Sequence, residues 1–165
     1  MKIHPTMLVL IFFLMLIPAC FSTPSARKYG KDPVVRDFFR KTSEERAKAF
    51  ANYDIETQYA IFIYGQQGIR PPLFYDDNFA KGGTNIVGLL KEKLLQAEDD
   101  ITIYNILMVL EKMTKQDTCD VAADKDLMLL VNKSVLKIKD NYWGKKAKDK
   151  VSTIKLHSEA KHKGN

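Results

Sequence analysis

Between residues 84 and 138 the apolar side chains recur every three or four positions and not every two, and this spacing constrains the fold more than any other feature. Ile86, Leu90 and Leu94 form one stripe, widened by Val87 and Leu95, with Thr84 placed to cap a helix over 85–97. Asp99 and Asp100 open a second helix over 101–115, which buries Ile103, Ile106, Leu107, Leu110 and Met113 and sets a Glu111–Lys115 pair on the wet side. A third stripe, Leu127, Val131, Val135 and Ile138, follows Asp124 and is expected to end at Trp143-Gly144. Strand alternation is absent over any useful length. The expected fold is all-α, a compact bundle of antiparallel helical hairpins.

The first half carries start signals of the same kind. Asp32-Pro33 opens 34–39, with proline where a missing amide hydrogen costs nothing. Thr42 and Glu45 have the spacing of a capping box. Asp54 precedes a helix to about Gln67 with Ile55, Tyr59 and Ile63 on one face. In the second half, the stretch GGTNIVGLLKEKLLQAEDDITIYNILMVLEKM resembles a HEAT-like helical hairpin, two amphipathic helices joined by a short acidic turn. The resemblance implies protein binding through a helical face. No second copy follows at a fixed period, and solenoids need several.

The amino terminus carries an address. Lys2 precedes Met7–Ile17, a run without a polar residue, which is the pattern of a secretory signal. A spanning helix needs about 20 apolar residues, and this run stops at Pro18. Ile17-Pro18-Ala19-Cys20 resembles the lipobox of bacterial lipoprotein precursors, with Pro18 where a small or hydroxylated residue is more usual. The resemblance implies a diacylglyceryl group on the Cys20 sulfur, cleavage before Cys20 and acylation of the new terminus. Phe21, where an inner-membrane lipoprotein would carry Asp, implies the outer membrane, facing the periplasm, if the organism is Gram-negative. The competing reading is an ordinary secretory signal cut a few residues later, for instance after Ser22.

This divides the chain into a signal peptide (1–19), a Ser/Pro/Gly-bearing tether (20–31), a helical domain (32–144) and a basic tail (145–165). The formal charge of +6 belongs to the ends. The tail holds seven lysines against Asp149 and Glu159, Lys2 adds one charge in the signal, and residues 20–144 sum to zero. Lysine-rich and poor in large apolar residues, the tail is expected to be disordered or a frayed helix, and to favour anionic surfaces if it binds anything. Of the two cysteines, Cys20 is committed if it carries lipid, which leaves Cys119 as a partly buried structural thiol.

Catalysis finds little material. The histidines are His4, in the signal, and His157 and His162, in the tail, so the body 32–144 lacks an imidazole base for a Ser-His-Asp or Cys-His site. One cysteine without histidine cannot build the common zinc sites. The acid pairs Asp76-Asp77 and Asp99-Asp100 are sequence neighbours, whereas carboxylate-dependent hydrolysis needs two carboxyls facing one cleft. Gly65-Gln66-Gln67-Gly68 lacks the strands and basic residues of a nucleic-acid module. No catalytic residue, metal, cofactor or nucleic-acid partner is expected.

The stretch Gly68–Gly83 is a longer connection than bundles normally need, bracketed by Pro71-Pro72 and Gly82-Gly83. Arg70, Tyr75, Asp76 and Asp77 are its candidate partner-binding residues, because arginine and aromatic side chains dominate interface energetics. Phe74 and Phe79 are expected to plug into the core. The functional expectation is a lipid-anchored, extracytoplasmic protein-interaction module, of accessory or immunity type, without catalytic activity. Two alternatives stand beside it: a polyanion-binding protein acting through the lysine-rich tail, and an exported carboxylate-dependent hydrolase.

Overall fold

The computed structural model of the chain describes residues 23–69 and 73–163; the signal peptide, Cys20 and Arg70 lie outside the described residues. Among the described residues there are nine α-helices and no strand. They are α1 (Pro24–Tyr29), α2 (Pro33–Arg40), α3 (Ser43–Ala49), α4 (Ile55–Gln67), α5 (Asp76–Ala80), α6 (Val87–Gln96), α7 (Asp100–Lys115), α8 (Lys125–Lys137) and α9 (Asn141–Lys163).

The starts of the helices follow local chemistry. Asp32, Asp54, Asp99 and Asp124 each accept a hydrogen bond from a backbone N–H two or three residues on, at 2.8 to 2.9 Å. Thr42 and Glu45 form the reciprocal capping box. Thr84 does not cap. The chain instead makes a 3₁₀ turn over Gly83–Ile86 before α6 begins. Gly83 has φ +53°, and a Cβ there would stand 2.8 Å from the Thr118 carbonyl oxygen, so the turn depends on the missing side chain.

α7 is the centre of the core, with Ile106, Leu107, Val109, Leu110 and Met113 fully buried. It makes its broadest contact with α9 and its next with α5. The turn between α6 and α7 falls at Ala97–Asp99, where the hairpin resemblance implies it. α6, however, packs more on α8 than on α7.

Two boundaries are corrected. Residues 145–163 are not a disordered tail but part of α9, a 23-residue helix. Ala147, Val151, Ile154 and Ser158, at intervals of four, three and four, are its buried stripe. Its lysines fill the remaining faces, so a high lysine count coexists with a packed helix. α8 ends at Lys137, and Trp143-Gly144 lies inside the first turn of α9 instead of closing the earlier element. Asp100 bridges the gap by accepting from the Lys139 and Asp140 amides at 3.1 and 2.8 Å, and Asp140 accepts from the Trp143 amide at 3.0 Å.

Glu111, expected on the wet side, is 4% exposed. Burial pushes its carboxyl up, but hydrogen bonds from Lys150 and Lys115 outweigh this and hold it below the ordinary glutamate range. The pair with Lys150 ties α9 to α7.

The second correction is at the amino-terminal side. The expected tether, 20–31, is folded from Thr23 onward. Thr23 caps α1 by accepting from the Ala26 amide, Ala26 is fully buried, and the Tyr29 ring meets Tyr59 edge-on at 5.9 Å. α1 packs on α4.

Candidate functional site

The connection between α4 and α6 is mostly core. Tyr75, expected on the surface, stacks on Phe50 at 5.3 Å and meets Phe38 edge-on at 5.4 Å. Burial raises its phenol, against the opposing charge of Arg46. Asp76 is 5% exposed, 3.9 Å from Lys112. Asp77 is exposed, pairs with Lys112 at 2.9 Å and accepts from Gln116 at 3.2 Å. These two acids fasten α5 to α7. Phe79 is buried as expected, whereas Phe74 is 66% exposed. The Leu73 N–H donates to the Gly65 carbonyl at 3.0 Å, and a Cβ on Gly65 would come within 2.8 Å of the Leu73 oxygen. This close approach fixes the register of the connection, so that Tyr75 turns inward and its neighbour Phe74 outward.

Phe74 stands at the mouth of a cleft of about 430 Å³ between the end of α4, α7 and the first turn of α9. α7 contributes Ile101, Tyr104, Asn105 and Met108, and α9 contributes Tyr142, Trp143 and Lys146. Tyr104 and Trp143 are 4.9 Å apart between ring centroids, and Tyr142 meets Trp143 edge-on at 5.1 Å. Tyr142 is 61% exposed, with the Lys146 ammonium 5.7 Å from its ring centre. Among the described residues lining the cleft, Lys146 alone is charged.

The polar side of the cleft is incompletely satisfied. Asn105 is 4% exposed, and its Nδ2 has no hydrogen-bond partner among the described residues. The Nε2 of Gln66, on the α4 wall, is also buried without a partner among the described residues. Leaving such a donor unpaired costs about 1–3 kcal/mol each. Sequence reasoning missed this site altogether. The preference of tryptophan and tyrosine for a half-wet place was the available signal, but nothing in the sequence joins positions 66, 74, 105 and 143.

Thr23 also lines the cleft, held by a continuous hydrogen-bonded chain. Its hydroxyl donates to Gln67 Oε1, Gln67 Nε2 donates to the Thr102 hydroxyl at 3.1 Å, and that hydroxyl donates to Asp99 at 2.8 Å. Ser25 donates to the same carboxylate at 3.2 Å. Thr23, the first described residue, is therefore fixed at the cleft wall.

Folding of the C-terminal stretch brings a histidine into the body. Asp120 accepts from the Ser158 hydroxyl at 3.0 Å and lies 3.1 Å from His162 Nε2. One carboxylate oxygen of Asp120 thus meets the hydroxyl and the other the imidazole. Asp76 and Asp77 pair with Lys112 in the last turn of α7, whereas Asp99 and Asp100 accept from the Thr102 and Asp140 amides at the start of that helix. Among the described residues no cluster of three or more His, Cys, Asp or Glu could hold a metal ion. The Cys119 thiol is partly buried and raised by burial, with Asp124 and Asp120 adding to the effect. No helix of the described residues is long and apolar enough to cross a membrane.

No protein family, curated protein or solved structure matches the chain.

Proposed function

We propose that this chain is an exported binding module, held at a membrane by lipid on Cys20 and acting without catalysis, and that its ligand lies in the aromatic cleft. The observation that carries the reading is the unpartnered Asn105 amide beside Tyr104, Met108 and Trp143. Deeply buried polar groups are nearly always paired, and an unpaired one in a cleft calls for an acceptor from outside. The ligand chemistry follows: acceptor oxygens for the amide donors, an apolar or flat body for the rings, and a negative or neutral charge beside Lys146.

Asn105→Leu tests this directly. Removing the unpartnered amide while keeping the volume raises stability by about 1–3 kcal/mol, because the desolvated donor disappears. The same change lowers the amount of ligand that co-purifies with the full-length protein, read by mass spectrometry. A loss of stability would show that the amide serves the fold and would refute the reading.

A second reading places a protein partner on the outer face of α8. Leu129 and Leu136, seven residues apart on that face, are 55% and 82% exposed. Leu136 borders a shallow groove with Val135 of α8 and Val151 of α9. Substituting both leucines with lysine leaves the fold intact and, on this reading, abolishes capture of an envelope protein. The polyanion alternative loses its free tail, since Lys150 and Lys161 are paired with Glu111 and Asp117 within the folded body.

A further inference from the structure

We infer that the mouth of the aromatic cleft docks into the interfacial layer of the phospholipid bilayer, which supplies the cleft's ligand. The inference rests on the reading of Cys20 as the lipid-bearing residue. Thr23 is fixed in the cleft wall, and Cys20 is three residues before it. A chain reaches at most about 3.3–3.6 Å per residue, so an acylated Cys20 sits within about 10 Å of the cleft wall however the intervening residues run. A bilayer of about 40–45 Å around a hydrocarbon core of about 30 Å leaves about 5–7.5 Å of headgroup layer on each face, so this reach spans little more than that layer. The anchor therefore delivers this end of the molecule to the membrane surface.

The groups found there suit that place. Phe74 and Tyr142, both well exposed, project at the mouth, with Trp143 behind them. Tryptophan and tyrosine concentrate at membrane interfaces because a ring and a polar edge meet both phases. Lys146 is the one charged side chain of the cleft among the described residues and complements a phosphate. Of the acids near this end, Asp99, Asp100 and Asp140 are turned to backbone and hydroxyl donors within the fold, while Glu98 is exposed. The glycerol ester and phosphate oxygens of a phospholipid are the acceptors that the Asn105 amide lacks.

Trp143 is the only tryptophan of the chain, so its emission reports the cleft alone. The lipidated protein, produced from the full chain and reconstituted into vesicles of phosphatidylethanolamine and phosphatidylglycerol, is expected to float with them. Its emission is expected to shift to the blue and to fall by about twofold or more when the lipids carry bromine just below the ester groups, as for a ring at headgroup depth. The Phe74→Ser, Tyr142→Ser variant is expected to float equally and to lose the quenching. Failure to float overturns the anchor and the docking built on it. Flotation with tryptophan still open to aqueous acrylamide and untouched by brominated lipid overturns the docking alone. Quenching unchanged in the double variant overturns the role of the mouth. Emission that responds only to added envelope protein assigns the cleft to a protein partner and overturns the lipid assignment.

Discussion

Residues 68–83 and residues 141–163 have opposite compositions and opposite fates. The first is short, bracketed by proline and glycine and rich in aromatic side chains, which suggests an exposed recognition loop, yet Tyr75, Asp76, Phe79 and Ala80 turn inward. The second is dense in lysine, which suggests a solvated tail, yet it forms the longest helix among the described residues and covers α7. In each case the average over the segment misleads and the individual face decides. One residue in every three or four suffices to seat a helix, provided those few lie on one side. A single inward turn before a short helix converts an aromatic cluster from bait into core.

The comparison breaks first at α9. Deleting 141–163 exposes the α7 face that Val151 and Ile154 cover, and the remainder is expected to lose its cooperative thermal transition. A truncated chain that melts as sharply as the whole would return the stretch to the status of a tail. On the loop side, Phe79→Ala is expected to cost about 3–5 kcal/mol in urea unfolding, as for fully buried phenylalanines.

A smaller effect is expected from acid. The Glu111 carboxyl is held below its ordinary range by Lys150 and Lys115, against the opposing push of burial. A lowered folded pKa means that the native state binds fewer protons than the unfolded one. The contribution is thus complete above the ordinary glutamate range and is lost as pH falls through the lowered value. Glu111→Gln is expected to remove about 2 kcal/mol at neutral pH, since hydrogen bonds to charged groups are worth about 1.5–3 kcal/mol, and to flatten that acid slope. An unchanged slope in chemical denaturation at several pH values would show that the pair does not hold α9.

The caps were legible in the sequence because they are local: Asp32, Thr42 with Glu45, Asp54, Asp99 and Asp124 act within three residues. The stripes of α7 and α8 were legible for the same reason. α1 was not, because six residues have no period of their own and the helix is seated by packing on the distant α4. The stripe of α9 was present but small, with Ala147 and Ser158 as two of its four members, and lysine counting concealed it. The cleft lay beyond reach, since Gln66, Phe74, Asn105 and Trp143 meet only once four segments are packed.

The smallest stability change is expected at Phe74, and it separates the two neighbours on which the comparison turns. Tyr75→Ala removes a ring stacked on Phe50 and in edge contact with Phe38. Aromatic pairs are worth about 0.5–1.5 kcal/mol beyond their buried area, so a loss of about 2 kcal/mol is expected in urea unfolding. Phe74→Ala removes a ring that is 66% exposed, and substitutions of that kind stay within about 0.5 kcal/mol. If Phe74 belongs to a working surface, its replacement should alter Trp143 emission in the presence of ligand while leaving the melt unchanged. If the two variants destabilise equally, Phe74 is a core residue and the cleft loses its mouth. If Tyr75→Ala is the neutral one, the connection folds with its faces reversed, and the recognition surface belongs where composition first placed it.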